Sequence, residues 1–450
     1  MTNKKNRTKE FINNPKKALW KLSIPMMLGM LANTLYTIVD MYFINVFVTF
    51  EDAMASIGYL FPLMFIVMGI TFGLGSGGTA LIAQYIGSND KKKANSAAEH
   101  LVLSGTLIGI FITILYYFIA DDLILLQGAS TEAQSYALDY FYTMIFGTTF
   151  MILGIFFRSI LSGEGDNIFA MKVLGVGTIL NIILDPVLIY FFQIQGAALA
   201  TVISQLIIFS IFMYSIVIKQ SFYLELNFKN FKYNKSIMNK ILALGLPASS
   251  SMIVMALWMG ICNNLIIDED AIEAFAMAGR IEHIFFLIII SIATGLVTLV
   301  GMFYGAKRFD LINGITNYAI TRSVYVGIAF CGVFYLFSKY IFAPFELNPN
   351  ELNYIIQYFT IVPFAYPFIA VAMNSGRAMQ ALGHGMPTLI ITFLRVLFIN
   401  VLLSYVFIKI YDKGIEYIWY SIVLSGIITA LIAYLWMKKI SNDIIISKKN

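Results

Sequence analysis

Asp40 lies within a long apolar segment, and three polar residues before it give the segment a polar helix face. Asn33, Tyr36 and Thr37 precede Asp40 by seven, four and three residues, so the four side chains share one side of a helix. An ionisable group costs free energy inside a membrane and marks an ion or substrate path by default. We expect Asp40 to bind an ion and the other three to line a cavity or gate. A buried structural aspartate is the alternative.

Asp185 is the second aspartate inside an apolar segment, and Asn181 precedes it by one helical turn. Pro186 has no N–H group, so the carbonyl group of Ile182 loses its helical hydrogen bond. A carboxylate, an amide and a free carbonyl then lie together, and such oxygens suit a proton or a small hard cation such as Na⁺. The alternative is an aspartate that caps a kink.

The composition predicts the element type that must position these residues. Of the 450 residues, 59% are hydrophobic and 12% charged, whereas a soluble domain has about 25% charged residues. This apolar composition excludes a soluble enzyme, a disordered chain and a nucleic-acid binder. The +5 net charge does not indicate DNA binding, because the basic residues fall in short loops between apolar runs. The fold class is therefore an all-α integral membrane protein with 12 transmembrane helices, each of roughly 20 residues or more. The predicted spans are 20–46, 53–85, 97–119, 137–160, 169–191, 196–218, 240–267, 271–304, 314–338, 352–378, 387–409 and 416–437.

The distribution of Lys and Arg predicts that both termini are cytoplasmic. With the N-terminus inside, 25 of the 30 basic residues fall on the cytoplasmic side, as the positive-inside rule requires. Only Lys339, Lys409 and Lys413 fall outside, while Arg280 and Arg395 lie within spans. We expect a multi-pass protein of the cell membrane.

The two halves of the chain resemble each other, which predicts two pseudo-symmetric six-helix bundles. Matching positions recur at offsets of 218 to 222 residues: Leu22-Ser23-Ile24-Pro25 with Leu244-Gly245-Leu246-Pro247, Gly87 with Gly305, Asn181 with Asn400, and Gly196 with Gly414. Parallel repeats of this kind are typical of carriers that alternate access. The predicted domains are an N-tail (1–19), a first bundle (20–218), a linker (219–239), a second bundle (240–437) and a C-tail (438–450).

The second half lacks the two acids of the first. The counterpart of Asp40 is Cys262, and the counterpart of Asp185 is Ser404. We therefore expect ion coupling in the N-terminal half alone.

Three charged residues in the second half have open roles. Arg280 and Glu282 are two residues apart and do not share a helix face, so each is expected to bond another helix near the outer mouth or to act in coupling or gating. The same alternatives apply to Arg395.

Several prolines and methionines also bear on transport. Pro25, Pro62, Pro247 and Pro363 are candidate hinges or kinks. Met26 belongs to a group of methionines at helical spacing, which suits either a promiscuous apolar pocket or ordinary helix packing.

The sequence lacks three motifs that are typical of ATPases and hydrolases. There is no P-loop, no His-Glu-x-x-His signature and no Gly-x-Ser-x-Gly elbow, so we predict neither an ATPase nor a hydrolase. The chain is predicted not to be an enzyme and to need no cofactor beyond a coupling ion, H⁺ or Na⁺.

Several motifs together resemble the multidrug and toxic compound extrusion (MATE) family over about residues 15–440. They are the Leu-Ser-Ile-Pro opening, Val39–Ile44, Arg158–Asp166, Asn181–Pro186 followed by Gly196–Thr201, and Arg280–Glu282. The resemblance implies a carrier that exports bulky, often cationic or amphipathic compounds in exchange for H⁺ or Na⁺. It is nearest to the DinF-like or archaeal branch, whose ion site matches Asp40, Asn181, Asp185 and Thr201. Branches with acids in spans 7 and 10 are not matched, which leaves H⁺ and Na⁺ both open.

The mechanism that the resemblance implies is antiport by rocking of two bundles, with a change of span 1 near Pro25. A monomer is expected, since each chain has its own cavity. A lipid or lipid-linked oligosaccharide flippase is the alternative carrier, although it would need several Arg or Lys residues to neutralise phosphate. A non-transporting membrane receptor or scaffold is the alternative from another class.

Overall fold

The computed structural model describes residues 5–48, 53–125, 131–266, 268–343, 345 and 347–447, and this part of the chain is helical without strands. Eleven of its helical runs are long and apolar enough to cross a membrane. The α-helices are α1 (Thr8–Asn13), α2 (Pro15–Phe47), α3 (Ala53–Gly58), α4 (Phe61–Gly87), α5 (Lys91–Leu125), α6 (Thr131–Glu164), α7 (Asn167–Phe212), α8 (Lys235–Leu265), α9 (Glu269–Gly305), α10 (Phe309–Phe342), α11 (Pro349–Ile361), α12 (Tyr366–Ala381), α13 (Met386–Phe393), α14 (Val401–Tyr405) and α15 (Glu416–Ser447). The π-helical turns are Met213–Ile218, Leu394–Asn400 and Val406–Ile410, and the 3₁₀ turns are Phe228–Asn230 and Val362–Ala365.

Helix α7 and the π-helical turn after it form one run of 52 residues, about 78 Å if straight, which exceeds twice the ~30 Å bilayer core. The run breaks at Gln193, whose backbone is not helical (φ 52°, ψ −135°). Its two arms fold back on each other, as two close contacts between them show. A Cβ atom at Gly177 would lie 2.3 Å from Ile208, and one at Gly196 would lie 2.1 Å from the carbonyl oxygen of Leu188. Two antiparallel spans result, so the predicted count of twelve is confirmed.

The internal repeat is visible in the backbone as well as in the sequence. Left-handed φ values recur at offsets of 218 or 219 residues in three pairs: Asn89 (60°) with Lys307 (58°), Gly165 (86°) with Gly383 (102°), and Gln193 (52°) with Asp412 (49°). Each pair ends or breaks a helix at the same place in its half. The two halves therefore share one pattern of helix ends, which independent sequences would not produce.

Contacts divide the chain into two units. The N-unit is Ile24–Gly245 with the residues up to Arg7, and the C-unit is Thr8–Ser23 with the residues from Leu246 onward. The units meet between Ser23 and Ile24 inside α2 and between Gly245 and Leu246 inside α8. Both of these boundaries fall at the repeated opening motif of spans 1 and 7. Residues 1–4 and 448–450, in the predicted tails, lie outside the described part of the chain.

The glycines of α4 allow other helices to pack closely against it within the N-unit. A Cβ atom at Gly77 would lie 2.6 Å from the backbone nitrogen of Gly245, and one at Gly78 would lie 2.5 Å from Leu101. Helices α8 and α5 therefore approach the backbone of α4 directly.

The linker after span 6 is held to the N-unit by its own backbone. Four side chains accept linker N–H groups: Glu164 from Tyr223 and Leu224, Asn95 from Glu225, Glu99 from Asn227 and His100 from Asn234. Buried Phe222, Leu224 and Leu226 alternate with half-buried residues along this extended segment. The linker is therefore an ordered part of the unit.

The prolines fall into different structural roles. Pro25 and Pro247 lie inside continuous helices, and Pro363 lies in a 3₁₀ turn between α11 and α12. Pro62 stands at the start of α4, just after the break between α3 and α4, where a missing N–H group breaks no helical bond.

Candidate ion-binding site

Asp40 and Asp185 are both buried in the N-unit, with 7% and 0% of their surfaces exposed. Helix α2 is placed against α7 by an apolar cluster in which Ile44, one turn after Asp40, packs with Ile189, one turn after Asp185. The two carboxyl groups are close enough to interact electrostatically. The tertiary structure therefore brings together the two acids that the sequence singles out.

The polar face of α2 points into the unit. Asn33, Tyr36 and Thr37 are half-buried, whereas Leu35 and Ile38 on the opposite face are 57% and 58% exposed. An exposed apolar face on a membrane helix is suited to lipid. The polar stripe of α2 therefore faces the interior of the N-unit.

Asn181 holds one oxygen of Asp185. Its Nδ2 atom donates a hydrogen bond to Asp185 Oδ1 at 3.3 Å, while Pro186 interrupts the backbone ladder inside α7. A donor fixes the orientation of the amide group, since only its nitrogen carries hydrogen. The oxygen of Asn181 therefore points away from Asp185 and is free to accept.

A small cavity lies between α2 and the two arms of α7. Its polar lining comprises Asn33, Tyr36, Thr178, Asn181, Thr201, Ser204 and Gln205. Of the predicted site residues, Asn33, Tyr36, Asn181 and Thr201 line it.

Thr37, Asp40 and Asp185 lie outside the lining of this cavity. Thr37 donates its hydroxyl hydrogen to the carbonyl oxygen of Asn33 at 3.2 Å. Pro25 and Met26 are buried two turns before Asn33, away from the cavity, so the predicted roles of these two residues stay predictions.

Five buried oxygens around this cavity have no hydrogen-bonding partner within the described chain: Asp40 Oδ1, Asn181 Oδ1, Asp185 Oδ2, Thr201 Oγ1 and Ser204 Oγ. Leaving one buried polar group unpaired costs about 1–3 kcal/mol, and native structures keep few such groups. Carboxylate, amide and hydroxyl oxygens are the donor set that a hard cation takes, and the carboxylates can also take a proton. The residues present therefore fit either ion.

Sequence reasoning missed three residues of this site. Ser204 and Gln205 line the cavity one turn after Thr201, and their helical spacing from Thr201 is a signal that could have found them. Tyr140 of α6 lies close enough to Asp40 and Asp185 to interact with them electrostatically. No spacing rule links α6 to α2, so only the tertiary structure reveals Tyr140.

The C-unit holds a neutral version of the same arrangement. Asn400, the counterpart of Asn181, accepts a hydrogen bond from Trp258 Nε1 at 2.6 Å, and Cys262 Sγ lies 4.0 Å from the same oxygen. Trp419 stands at the position that matches Thr201 and is buried in an aromatic cluster. Trp258 and Trp419 thus stand at the positions of two cavity-lining residues of the N-unit, Tyr36 and Thr201, and neither aspartate has an acidic counterpart here.

The remaining predicted residues lie in the C-unit and do not pair with each other. Arg280 is exposed, whereas Glu282 is buried and accepts a hydrogen bond from the Tyr366 hydroxyl group at 2.7 Å. Arg395 is half-buried, with Nη2 3.5 Å from Met255 Sδ. Glu282 therefore bonds another helix, which is one of the two predicted outcomes.

These features define a multi-pass, all-helical membrane protein built from two repeated halves. The family model described as MatE matches residues 25–187 and 241–406. The chain belongs to this family, which confirms the resemblance read from its motifs.

Three known proteins illustrate the relationship. The multidrug export protein MepA of Staphylococcus aureus is 28% identical over 299 residues, and the chain spans 65% of the length of this relative. An FAD transporter of Shewanella oneidensis is 22% identical over 442 residues, with 95% of each chain covered. The solved structure of a MOP superfamily transporter from Pyrococcus furiosus superposes with a TM-score of 0.93 at 28% identity, covering 99% of each chain. These relatives are transporters and not enzymes.

Proposed function

We propose that this chain is a multidrug efflux antiporter that exchanges bulky cationic or amphipathic compounds for H⁺ or Na⁺. The observation that carries this proposal is the pair of buried carboxylates beside a cavity with unpartnered oxygens. A buried acid without a counter-ion is costly in a membrane protein. We therefore infer that a cation binds these two acids during transport. Asp40, Asn181, Asp185 and Thr201 are the proposed ligands.

The charge of the site favours a cationic cargo over an anionic one. The FAD transporter among the relatives raises an anionic dinucleotide as the alternative, and a flippase would likewise carry phosphate. Phosphate recognition uses Arg or Lys, yet the lining of the N-unit cavity contains neither. The name of MepA, a multidrug export protein, agrees with the export of drugs.

Coupling is proposed to work through alternating access. Ion binding changes the balance between two conformations only by the difference in its affinity for them. The neutral counterpart in the C-unit supports a single coupling site per chain, in the N-unit. A receptor or scaffold would have no use for an ion site of this kind.

The test is export of a fluorescent cation from proteoliposomes under an imposed H⁺ or Na⁺ gradient. Asp40→Asn and Asp185→Asn are expected to abolish gradient-driven flux, and the gradient that drives the wild type identifies the ion. Asp139→Asn is the matched control, because Asp139 is an exposed aspartate of α6. Wild-type flux in both site variants would refute the assignment, and no wild-type flux under either gradient would favour the flippase.

A further inference from the structure

The transmembrane segment Pro349–Ala381 is interrupted by a short 3₁₀ turn. Helix α11 ends at Ile361, the turn covers Val362–Ala365, and α12 begins at Tyr366. Pro363 and Pro367 each lack the N–H group that a continuous helix would use here. A 3₁₀ stretch in the middle of a helix often marks a hinge.

One buried carboxylate bonds both sides of this turn. Glu282 of α9 accepts a hydrogen bond from the Tyr366 hydroxyl group at 2.7 Å, and Tyr358 is its second hydrogen-bonding partner. Tyr358 lies in α11 before the turn, and Tyr366 opens α12 after it. All three residues are buried, with 8%, 2% and 0% of their surfaces exposed.

The surroundings hold the turn firmly within the C-unit. A Cβ atom at Gly327 of α10 would lie 2.8 Å from the backbone nitrogen of Pro367, so α10 packs directly on the start of α12 after the turn. Arg395 is the charged group near Glu282. Cys262 lies near Tyr358 and Cys331 lies near Tyr366.

We propose that Glu282 is a proton-binding site that acts as a clasp across the hinge between α11 and α12. An ionised carboxylate accepts hydrogen bonds from both phenols at once. When a proton from solvent binds one carboxylate oxygen, that oxygen becomes a hydrogen-bond donor. The phenol facing it can then no longer donate to it, and the phenol hydrogen is left without this acceptor in a buried environment. One side of the clasp is thereby weakened and the hinge is released. This site is separate from the N-unit acids and does not depend on the proposed antiport.

The experiment measures the hinge and not transport. Spin labels at Asn353→Cys, on an exposed site of α11, and His384→Cys, just beyond α12, report the distance across the turn in a Cys331→Ser background. The wild type is expected to change its distance distribution between about pH 5.5 and about pH 8.5, a range that brackets neutral pH. Glu282→Gln, which cannot ionise, is expected to keep the low-pH distribution throughout.

Glu273→Gln is the matched control, since it removes the same charge from an exposed position of the same helix. Tyr366→Phe keeps the acid, removes one donor and is expected to broaden the distribution at high pH. The proposal is refuted if the distance distribution of the wild type does not change with pH, or if it changes by the same amount in Glu282→Gln. If Glu282→Gln fails to fold, Tyr366→Phe decides, and a wild-type response in that variant refutes the proposal.

Discussion

Gly196→Ala is expected to destabilise the protein because the two arms of α7 touch at this glycine. The added Cβ atom would lie 2.1 Å from the carbonyl oxygen of Leu188 and 2.6 Å from the backbone nitrogen of Ile189. Overpacking costs typically about 1–3 kcal/mol, and here no side chain can rotate away, so the upper end, about 3 kcal/mol, applies. Thr201, five residues on, would move away from Asn181 on the other arm.

Gly175→Ala is the control for this prediction. Gly175 lies in the same helix, and a Cβ atom there would meet nothing within 4 Å. Replacing glycine by alanine inside a helix is stabilising by about 0.5–1 kcal/mol where space allows, so the two variants should differ in sign. Thermal unfolding of the purified protein measures the difference, with ion-driven export as the second readout. Equal unfolding midpoints for the two variants would refute the packing argument.

Two further predictions concern single buried contacts. Arg7→Ala should lower the free energy of unfolding by about 3–5 kcal/mol, because it removes the cation from a buried ion pair with Asp166; the pair is 2.6 Å apart with side chains 9% and 8% exposed. Lys21→Ala, whose ion pair is 38% and 50% exposed, should change it by less than about 1 kcal/mol, and equal losses would contradict the burial argument. Trp258→Phe should cost about 1–3 kcal/mol, since the Asn400 oxygen loses its N–H donor. The same variant should leave the ion dependence of export unchanged, and a shifted ion dependence would place coupling in the C-unit as well.

The asymmetry between the halves follows from a few substitutions on a shared backbone. Tyr36, Asp40 and Thr201 are matched by Trp258, Cys262 and Trp419 at the repeat offsets. In the C-unit the two tryptophans pack in an apolar cluster, whereas in the N-unit Tyr36 and Thr201 line a cavity. A cation site therefore needs both the acids and the small residues that leave room beside them.

The sequence by itself determined the membrane fold, the repeat and the two acids. Long apolar runs, basic loops and offsets of about 220 residues are local properties that can be counted along the chain. The stripe through Asn33 and Asp40 could also be read, because helical periodicity alone places residues on one face.

Only the tertiary structure decided what meets those residues across helices. That Tyr140 approaches Asp40, that Ser204 lines the same cavity as Asn181, and that Glu282 contacts tyrosines on both sides of a 3₁₀ turn all depend on packing between distant segments. Helix packing is set by the fit of side chains from several helices at once. No spacing rule along a single segment carries that information, which is why the polar stripes were predictable and their partners were not.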